Sequence, residues 1–153
     1  MKTRQKNRSF TLLELVVVVI ILGILATLGY SQYTGWVEKS RTAEAILRLG
    51  VMRNFAKEYY LKNGLMDSIW LGDLGIEVAD TTCTTTSYYK YTIGTHEDNR
   101  VVLTAIRCTD DGKVPDASRE YTIWMMYYAD TGDSTLHCYY SDDSSPCFGY
   151  PGL

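Results

Sequence analysis

The chain has 153 residues, the length of a single domain, with 15 basic and 18 acidic residues and a formal net charge of −3. Lys2, Arg4, Lys6 and Arg8 lie within the first nine positions, and the rest of the chain has 11 basic against 18 acidic residues, a net of −7. This acidity argues against nucleic acid as a partner, because binding to phosphates requires clustered Lys and Arg.

A mostly apolar segment follows the basic residues, from Phe10 to Tyr30. As a helix it would be about 31 Å long, which matches the hydrocarbon thickness of a bilayer. It is longer than the apolar core of a secretory signal peptide, and no small-residue cleavage pattern follows it. The basic residues before it predict a single pass with a cytoplasmic N-terminus. The alternative is a buried helix of a soluble protein, against which the basic flank argues.

Glu14 interrupts the apolar segment. An ionised carboxylate in hydrocarbon costs several kcal/mol, so this side chain should have a partner. The nearest candidate is an amine freed by cleavage just before Phe10, in the same chain or in a neighbour. The alternative is that Glu14 lies at the depth of the lipid headgroups.

An amphipathic pattern extends the predicted helix over residues 31–63. Apolar residues recur every four positions, and Ile46 lies on the same side of the helix. They are Ala43, Leu47, Val51, Phe55 and Tyr59. The pattern predicts a single apolar stripe that packs on the core of the fold. Asn63-Gly64 predicts the end of the helix.

Residues 64–153 are predicted to form an extracytoplasmic β-sheet head. Runs rich in Tyr, Val, Ile and Thr predict strands at Ser87–Ile93, Arg100–Cys108, Glu120–Tyr128 and Ser134–Tyr140. Gly94 to Asn99 is the predicted first hairpin connection. A helix followed by strands indicates an α+β fold, in which the long N-terminal helix packs on a small antiparallel sheet.

The four cysteines, Cys83, Cys108, Cys138 and Cys147, form no CxxC pair, which favours disulfides in an oxidising compartment over a metal site. A turn-rich segment between Cys138 and Cys147 favours their pairing. A hairpin of the first two strands would bring Cys83 beside Cys108. The alternative is a pair of free thiols near the tail.

No catalytic motif is present, so the sequence predicts no enzyme activity, no catalytic residue and no cofactor. His137 precedes Cys138 directly, and adjacent strand residues point to opposite faces, which argues against a Cys–His dyad. Calcium at Asp130 and Asp133 is a weak alternative, because a diagnostic ligand pattern is missing. No metal site is therefore predicted.

The string Arg8-Ser9-Phe10-Thr11-Leu12-Leu13-Glu14-Leu15, with the apolar run behind it, resembles the type IV prepilin signature. The resemblance implies that residues 1–9 are a leader, cut between Ser9 and Phe10, and that Phe10 is then N-methylated. It assigns to Glu14 a role in assembly. The residue before the cut is usually Gly in this family and is Ser9 here; Ser31 stands where many members have proline.

The resemblance implies a structural subunit of a type IV pilus or pilus-like fibre. Such a subunit waits in the bacterial inner membrane and then polymerises through its N-terminal helix into a periplasmic or cell-surface fibre. The implied partners are further copies in a helical homopolymer, other pilins, the prepilin peptidase and N-methyltransferase, the inner membrane and the pilus assembly machinery. The alternatives are a pseudopilin of a type II secretion system and a signal-anchored periplasmic binding domain.

Overall fold

The computed structural model of the chain describes residues 11–75, 81–115 and 117–152. Its elements are helix α1 (Leu12–Asn63), a short 3₁₀ helix (Leu71–Leu74) and four strands, β1 (Tyr89–Glu97), β2 (Arg100–Arg107), β3 (Tyr121–Tyr128) and β4 (Ser134–Tyr140). The strands form one antiparallel sheet in the order β1-β2-β3-β4. The predicted α+β class, a long helix with a small antiparallel sheet, is confirmed.

Helix α1 has 52 residues, several times the length of an average globular helix. It ends at Asn63, where the sequence predicted the end. Gly64 follows in the left-handed region at φ +79, and its N–H donates to the carbonyl of Tyr60 at 2.7 Å. Glycine adopts this conformation without the steric cost that a Cβ atom imposes, which explains why the helix stops here.

The chain divides into two compact units, with the boundary between Val37 and Glu38 inside α1. Among the described residues of the first unit, the apolar side chains before Tyr30 are exposed. The second unit holds the remainder of α1, the sheet and the hydrophobic core. The core therefore belongs to the second unit alone.

The face of α1 that packs on the core differs from the predicted one. Buried positions are Thr42, Ala45, Leu49, Met52 and Ala56. In contrast, Leu47, Val51 and Phe55 of the predicted stripe are 73%, 45% and 39% exposed. Two positions separate the two sets, which corresponds to about 200° around the helix. The prediction is therefore wrong in phase for Leu47, Val51 and Phe55, whereas Ile46 and Tyr59 of the predicted stripe are partly buried against the core.

The composition of the sheet explains this choice of face. Tyr89, Tyr91, Tyr121 and Tyr127 point from the strands into the core and are at most 6% exposed. Protein interiors are close-packed, so large rings on one layer require small or pliable side chains on the other. Ala45, Ala56 and the pliable Met52 meet that requirement on either side of Leu49.

Strand β1 is longer than predicted. It pairs with β2 up to Glu97↔Arg100, with an irregular register between Ile93 and His96. Gly94 to Asn99 is therefore mostly strand, and the connection shrinks to Asp98 and Asn99. At Gly94 an added Cβ would lie 3.2 Å from the Val102 side chain, so glycine here permits close pairing and does not mark a turn.

Arg107 is fully buried at the inward-facing end of β2. All five of its N–H donors have acceptors. Two go to the Glu38 carboxylate (Nε to Oε2 3.1 Å, Nη2 to Oε1 3.2 Å). The other three go to the backbone carbonyls of Tyr88 (3.1 Å), Cys108 (3.0 Å) and Pro115 (3.3 Å). A buried guanidinium is thus fully satisfied, and it links α1 to the end of the sheet and the loop beyond.

A chain of hydroxyl groups continues from Glu38 into the core. Tyr121 donates to Glu38 Oε2 at 3.2 Å, and the Tyr89 and Tyr121 hydroxyls lie 2.7 Å apart. Burial raises the pKa of Tyr89 to about 12. Burial also acts to raise the pKa of Glu38, but hydrogen bonds and charge from Arg107, with Arg41, outweigh it and hold that pKa below 4.5. Glu38 is therefore ionised at neutral pH.

We predict that Glu38→Gln lowers the free energy of unfolding by about 3 kcal/mol, because the buried Arg107 charge loses its counter-charge. The exposed pair Glu58–Lys62 on the same helix provides the control, and Glu58→Gln should cost less than about 0.5 kcal/mol. Denaturant unfolding of the full chain in detergent measures both. Equal losses for the two variants would contradict a structural role for the Glu38–Arg107 pair.

The same pair predicts an acid limit. The folded-state pKa of Glu38 is lowered, so its contribution to stability is present above about pH 4.5 and disappears as pH falls through the folded value. The stability difference between wild type and Glu38→Gln should therefore narrow below pH 4.5. A difference that does not change with pH would contradict this assignment.

Candidate assembly site

The first turn of α1 is closed by a reciprocal pair of side chains. The carboxylate of Glu14 accepts from the Thr11 backbone N–H at 3.1 Å and from the Thr11 hydroxyl at 2.9 Å. The Glu14 N–H lies 3.3 Å from the Thr11 hydroxyl oxygen. This is a capping box, which satisfies N–H groups that the helix itself leaves without acceptors. The signal for it, Thr followed by Glu three positions later, is in the sequence and was overlooked.

The capping box gives Glu14 hydrogen-bond donors within the apolar segment. Thr11 supplies hydrogen bonds but no positive charge, so the carboxylate is positioned without being neutralised. The other two predicted site residues, Ser9 and Phe10, lie outside the described residues. Cleavage and methylation there, and pairing of Glu14 with an amine, stay predictions.

Behind Glu14, α1 carries a continuous apolar surface. Large apolar residues from Leu12 to Leu28 are 44% to 81% exposed. The helix is long and apolar enough to cross a membrane, and none of its most apolar stretch is buried. A soluble domain does not normally leave such a surface in water, so lipid or protein should cover it.

Each disulfide of the head ties a loop to the sheet or to the residue that follows one of its strands. Cys83 pairs with Cys108, with Cα atoms 5.8 Å apart, and ties the loop before β1 to the residue after β2. Cys138 pairs with Cys147 at a Cα distance of 5.3 Å and closes a loop after β4. These are the two pairings that the sequence predicted. Cys108, Cys138 and Cys147 are at most 1% exposed, so the bonds lie inside the head.

Ion pairs also stabilise the C-terminal disulfide loop. Arg119 forks onto Asp142 (Nε to Oδ2 2.8 Å, Nη2 to Oδ1 2.6 Å) and reaches Asp143 at 2.8 Å. Its guanidinium lies 3.8 Å from the ring centroid of Tyr140. Hydrogen bonds from Arg119 help to hold the pKa of Asp142 below its usual range. The Cys138–Cys147 disulfide closes the loop, and ion pairs from Arg119 hold Asp142 and Asp143 within it.

The described residues offer little chemistry beyond this. They contain no group of three or more His, Cys, Asp or Glu that could hold a metal ion. Asp130, one of the two calcium candidates, accepts hydrogen bonds from Asn99 at 3.2 Å and from the Thr131 N–H at 2.9 Å. His137 stacks on Trp124 with ring centroids 4.4 Å apart, and Cys138 beside it is in a disulfide. In the described residues, the side chains just named make packing and hydrogen-bonding contacts within the β-sheet head.

Comparison with known proteins identifies the N-terminal region. Residues 4–30 match the family model of the prokaryotic N-terminal methylation motif. This range contains three of the four basic residues that precede the apolar segment, the predicted cleavage point and Glu14. The motif therefore coincides with the capped start of α1 and its apolar surface.

The chain is also similar to several fimbrial proteins. It is 34% identical over 70 residues to the fimbrial protein EcpC of Eikenella corrodens (46% of this chain, 43% of that protein). Identity to the type IV major pilin protein PilE of Neisseria gonorrhoeae is 38% over 65 residues (42% and 38%). It is 35% over 72 residues to the type IV major fimbrial protein FimA of Dichelobacter nodosus (47% and 44%).

These aligned stretches span about two fifths of the length of the relatives. They agree with the motif, since the matched relatives are named as pilins or fimbrial proteins. Over part of its length, the chain is therefore similar to type IV pilins and fimbrial proteins, and its N-terminal region matches a methylation motif.

Proposed function

We propose that the chain is a structural subunit of a type IV pilus or a pilus-like fibre. The observation that carries this proposal is the exposed apolar surface of α1, which starts at a capped acidic residue within a methylation motif. A subunit of this kind inserts in the inner membrane through residues 10–30. It then leaves the membrane by packing the same surface against other copies, so that protein contacts replace lipid contacts.

Glu14 guides this transfer. A prepilin peptidase cleaves the chain after Ser9 and frees the amine of Phe10. An N-methyltransferase activity then methylates that amine. The amine of one subunit then neutralises the Glu14 carboxylate of its neighbour, which removes the cost of an uncompensated charge in an apolar environment. Two hydrogen bonds from Thr11 hold the Glu14 carboxylate in position. Thr11 carries no charge, so the negative charge of Glu14 stays available for the neighbour's amine.

We predict that fibre-associated protein begins at Phe10 and carries one added methyl group on its amine. The motif over residues 4–30 and the Phe-Thr-Leu-Leu-Glu string motivate this expectation. N-terminal peptide mass spectrometry of sheared fibres measures it. A mature chain that still starts at Met1 would rule out the processing step.

A matched pair of substitutions separates charge from capping at Glu14. Glu14→Gln keeps an oxygen for the Thr11 cap and loses the charge, whereas Thr11→Val keeps the charge and loses the hydroxyl. Fibre yield from Glu14→Gln should fall by about tenfold or more, because a charge-assisted contact of about 1.5 to 3 kcal/mol is lost at each added subunit. Thr11→Val should reduce it less, since a lost N-cap costs about 1 kcal/mol.

Sheared-fibre yield, normalised to the amount in the membrane, is the readout, and mass spectrometry checks that both variants are cleaved. Wild-type yield from Glu14→Gln would show that the charge has no part in assembly. Equal defects in the two variants would assign the effect to the cap.

A further inference from the structure

Three aromatic side chains mark the end of the apolar part of α1. Tyr30, Tyr33 and Trp36 are 72%, 67% and 67% exposed. Steps of three residues turn an α-helix by about 300°, so the three side chains are offset from one another by about 60° and cover roughly a third of the helix surface. We call them the aromatic band. All three belong to the first unit of the chain.

The band lies where charge returns to the sequence. Between Glu14 and Glu38 there is no Asp, Glu, Lys or Arg, and Lys39 and Arg41 follow Glu38 closely. From Leu12 to Tyr30 the helix rises about 27 Å, close to the hydrocarbon thickness of about 30 Å. From Tyr30 to Trp36 it rises about 9 Å, comparable with one headgroup layer of about 5 to 8 Å. The spacing along α1 therefore follows the layers of a bilayer.

The chemistry of the band fits the headgroup layer. Tyr and Trp combine an apolar ring with one polar group, so they are stable where one end meets hydrocarbon and the other meets water. Residues 15–29 are aliphatic apart from Gly, Ala and Thr, and three charged residues, Glu38, Lys39 and Arg41, follow soon after the band. Aliphatic side chains at positions 30, 33 and 36 would let the helix slide along the membrane normal at little cost.

We propose that Tyr30, Tyr33 and Trp36 form a surface that binds phospholipid headgroups of the outer leaflet and fixes the depth of α1 before assembly. The proposal rests on the membrane insertion proposed above. Glu14 lies 16 residues before Tyr30, about 24 Å along the helix. With the band at the outer headgroups, the Glu14 carboxylate is held inside the hydrocarbon near its cytoplasmic side. Without the band, α1 would slide and let Glu14 reach the cytoplasmic headgroups, where its charge is hydrated.

The depth of Trp36 tests this proposal. The full chain with Trp70→Phe and Trp124→Phe has Trp36 as its remaining tryptophan. It is reconstituted at low protein-to-lipid ratio in phosphatidylethanolamine–phosphatidylglycerol vesicles, with spin labels either at the headgroup or midway along the acyl chain. An unchanged thermal unfolding midpoint of the head checks that the two substitutions are tolerated. The headgroup quencher should act more strongly on Trp36 than the acyl-chain quencher.

In the same background, Tyr30→Ala with Tyr33→Ala should change the ratio of headgroup to acyl-chain quenching of Trp36, because the helix can then slide along the membrane normal. Leu22→Ala with Leu25→Ala is the matched control, because both leucines are 59% exposed on the same helix and lie outside the band. The control should keep the profile of its parent. The proposal would be overturned if, in the parent, the acyl-chain label quenched Trp36 more strongly than the headgroup label. It would also be overturned if the two double variants had the same quenching profile.

Two further outcomes separate this proposal from the proposed function. A protein that fails to float with the vesicles after alkaline extraction would remove membrane insertion and the aromatic band together. A protein that floats, with Trp36 quenched only by aqueous iodide, would leave insertion intact and remove the band. Protection of Trp36 from every quencher would show that a second copy of the chain covers it, which also overturns lipid binding.

Discussion

The exposed apolar surface of α1 before Tyr30 is the constraint on which the rest of the molecule depends. It is 44% to 81% exposed at its large side chains, and no charged residue interrupts it after Glu14. Burial of apolar surface contributes about 25 cal/mol per Å², so a surface of this extent in water would be strongly unfavourable. Two environments satisfy it, lipid and other copies of the same helix. A subunit that moves from one to the other needs no change in its own fold.

The head must therefore be stable without help from that surface. Its core packs the tyrosines of the sheet against small residues of α1. Arg107 and Glu38 join the helix to the end of β2 through a buried ion pair in which every guanidinium donor is used. Two disulfides close loops at the strand ends. For a head of this size, such fastenings compensate for a thin core.

Much of this follows from the sequence. Turn residues and strand-forming runs predicted four strands, and the ends of β4 match the structure, because local chemistry decides these features. The disulfide pairs followed from the hairpin and from the turn before Cys147. The sequence did not predict which face of α1 packs on the core. The spacing of Leu47, Val51 and Phe55 is the same whether these residues face the core or the opposite side. The volume of the opposing tyrosines favours the face that carries the small residues Ala45 and Ala56.

Two polar features were missed for different reasons. Arg107 continues the inward alternation of Val101, Leu103 and Ala105, so a charged residue at an inward position could have suggested a buried ion pair. Its partner Glu38 lies 69 residues earlier, and no local pattern connects them. The Thr11–Glu14 cap, in contrast, is a local motif that was present in the sequence. The apolar residues around Glu14 draw attention to its charge and away from this local pairing.

We propose that this chain builds a fibre whose interior is made of the apolar surface of α1. A helical reconstruction of sheared fibres by electron cryomicroscopy tests it most directly. We expect residues 12–30 of neighbouring copies to contact one another in the fibre interior, with the Glu14 carboxylate within hydrogen-bonding distance of a neighbour's Phe10 amine. Fibres without this chain, or with residues 12–30 facing solvent, would contradict it.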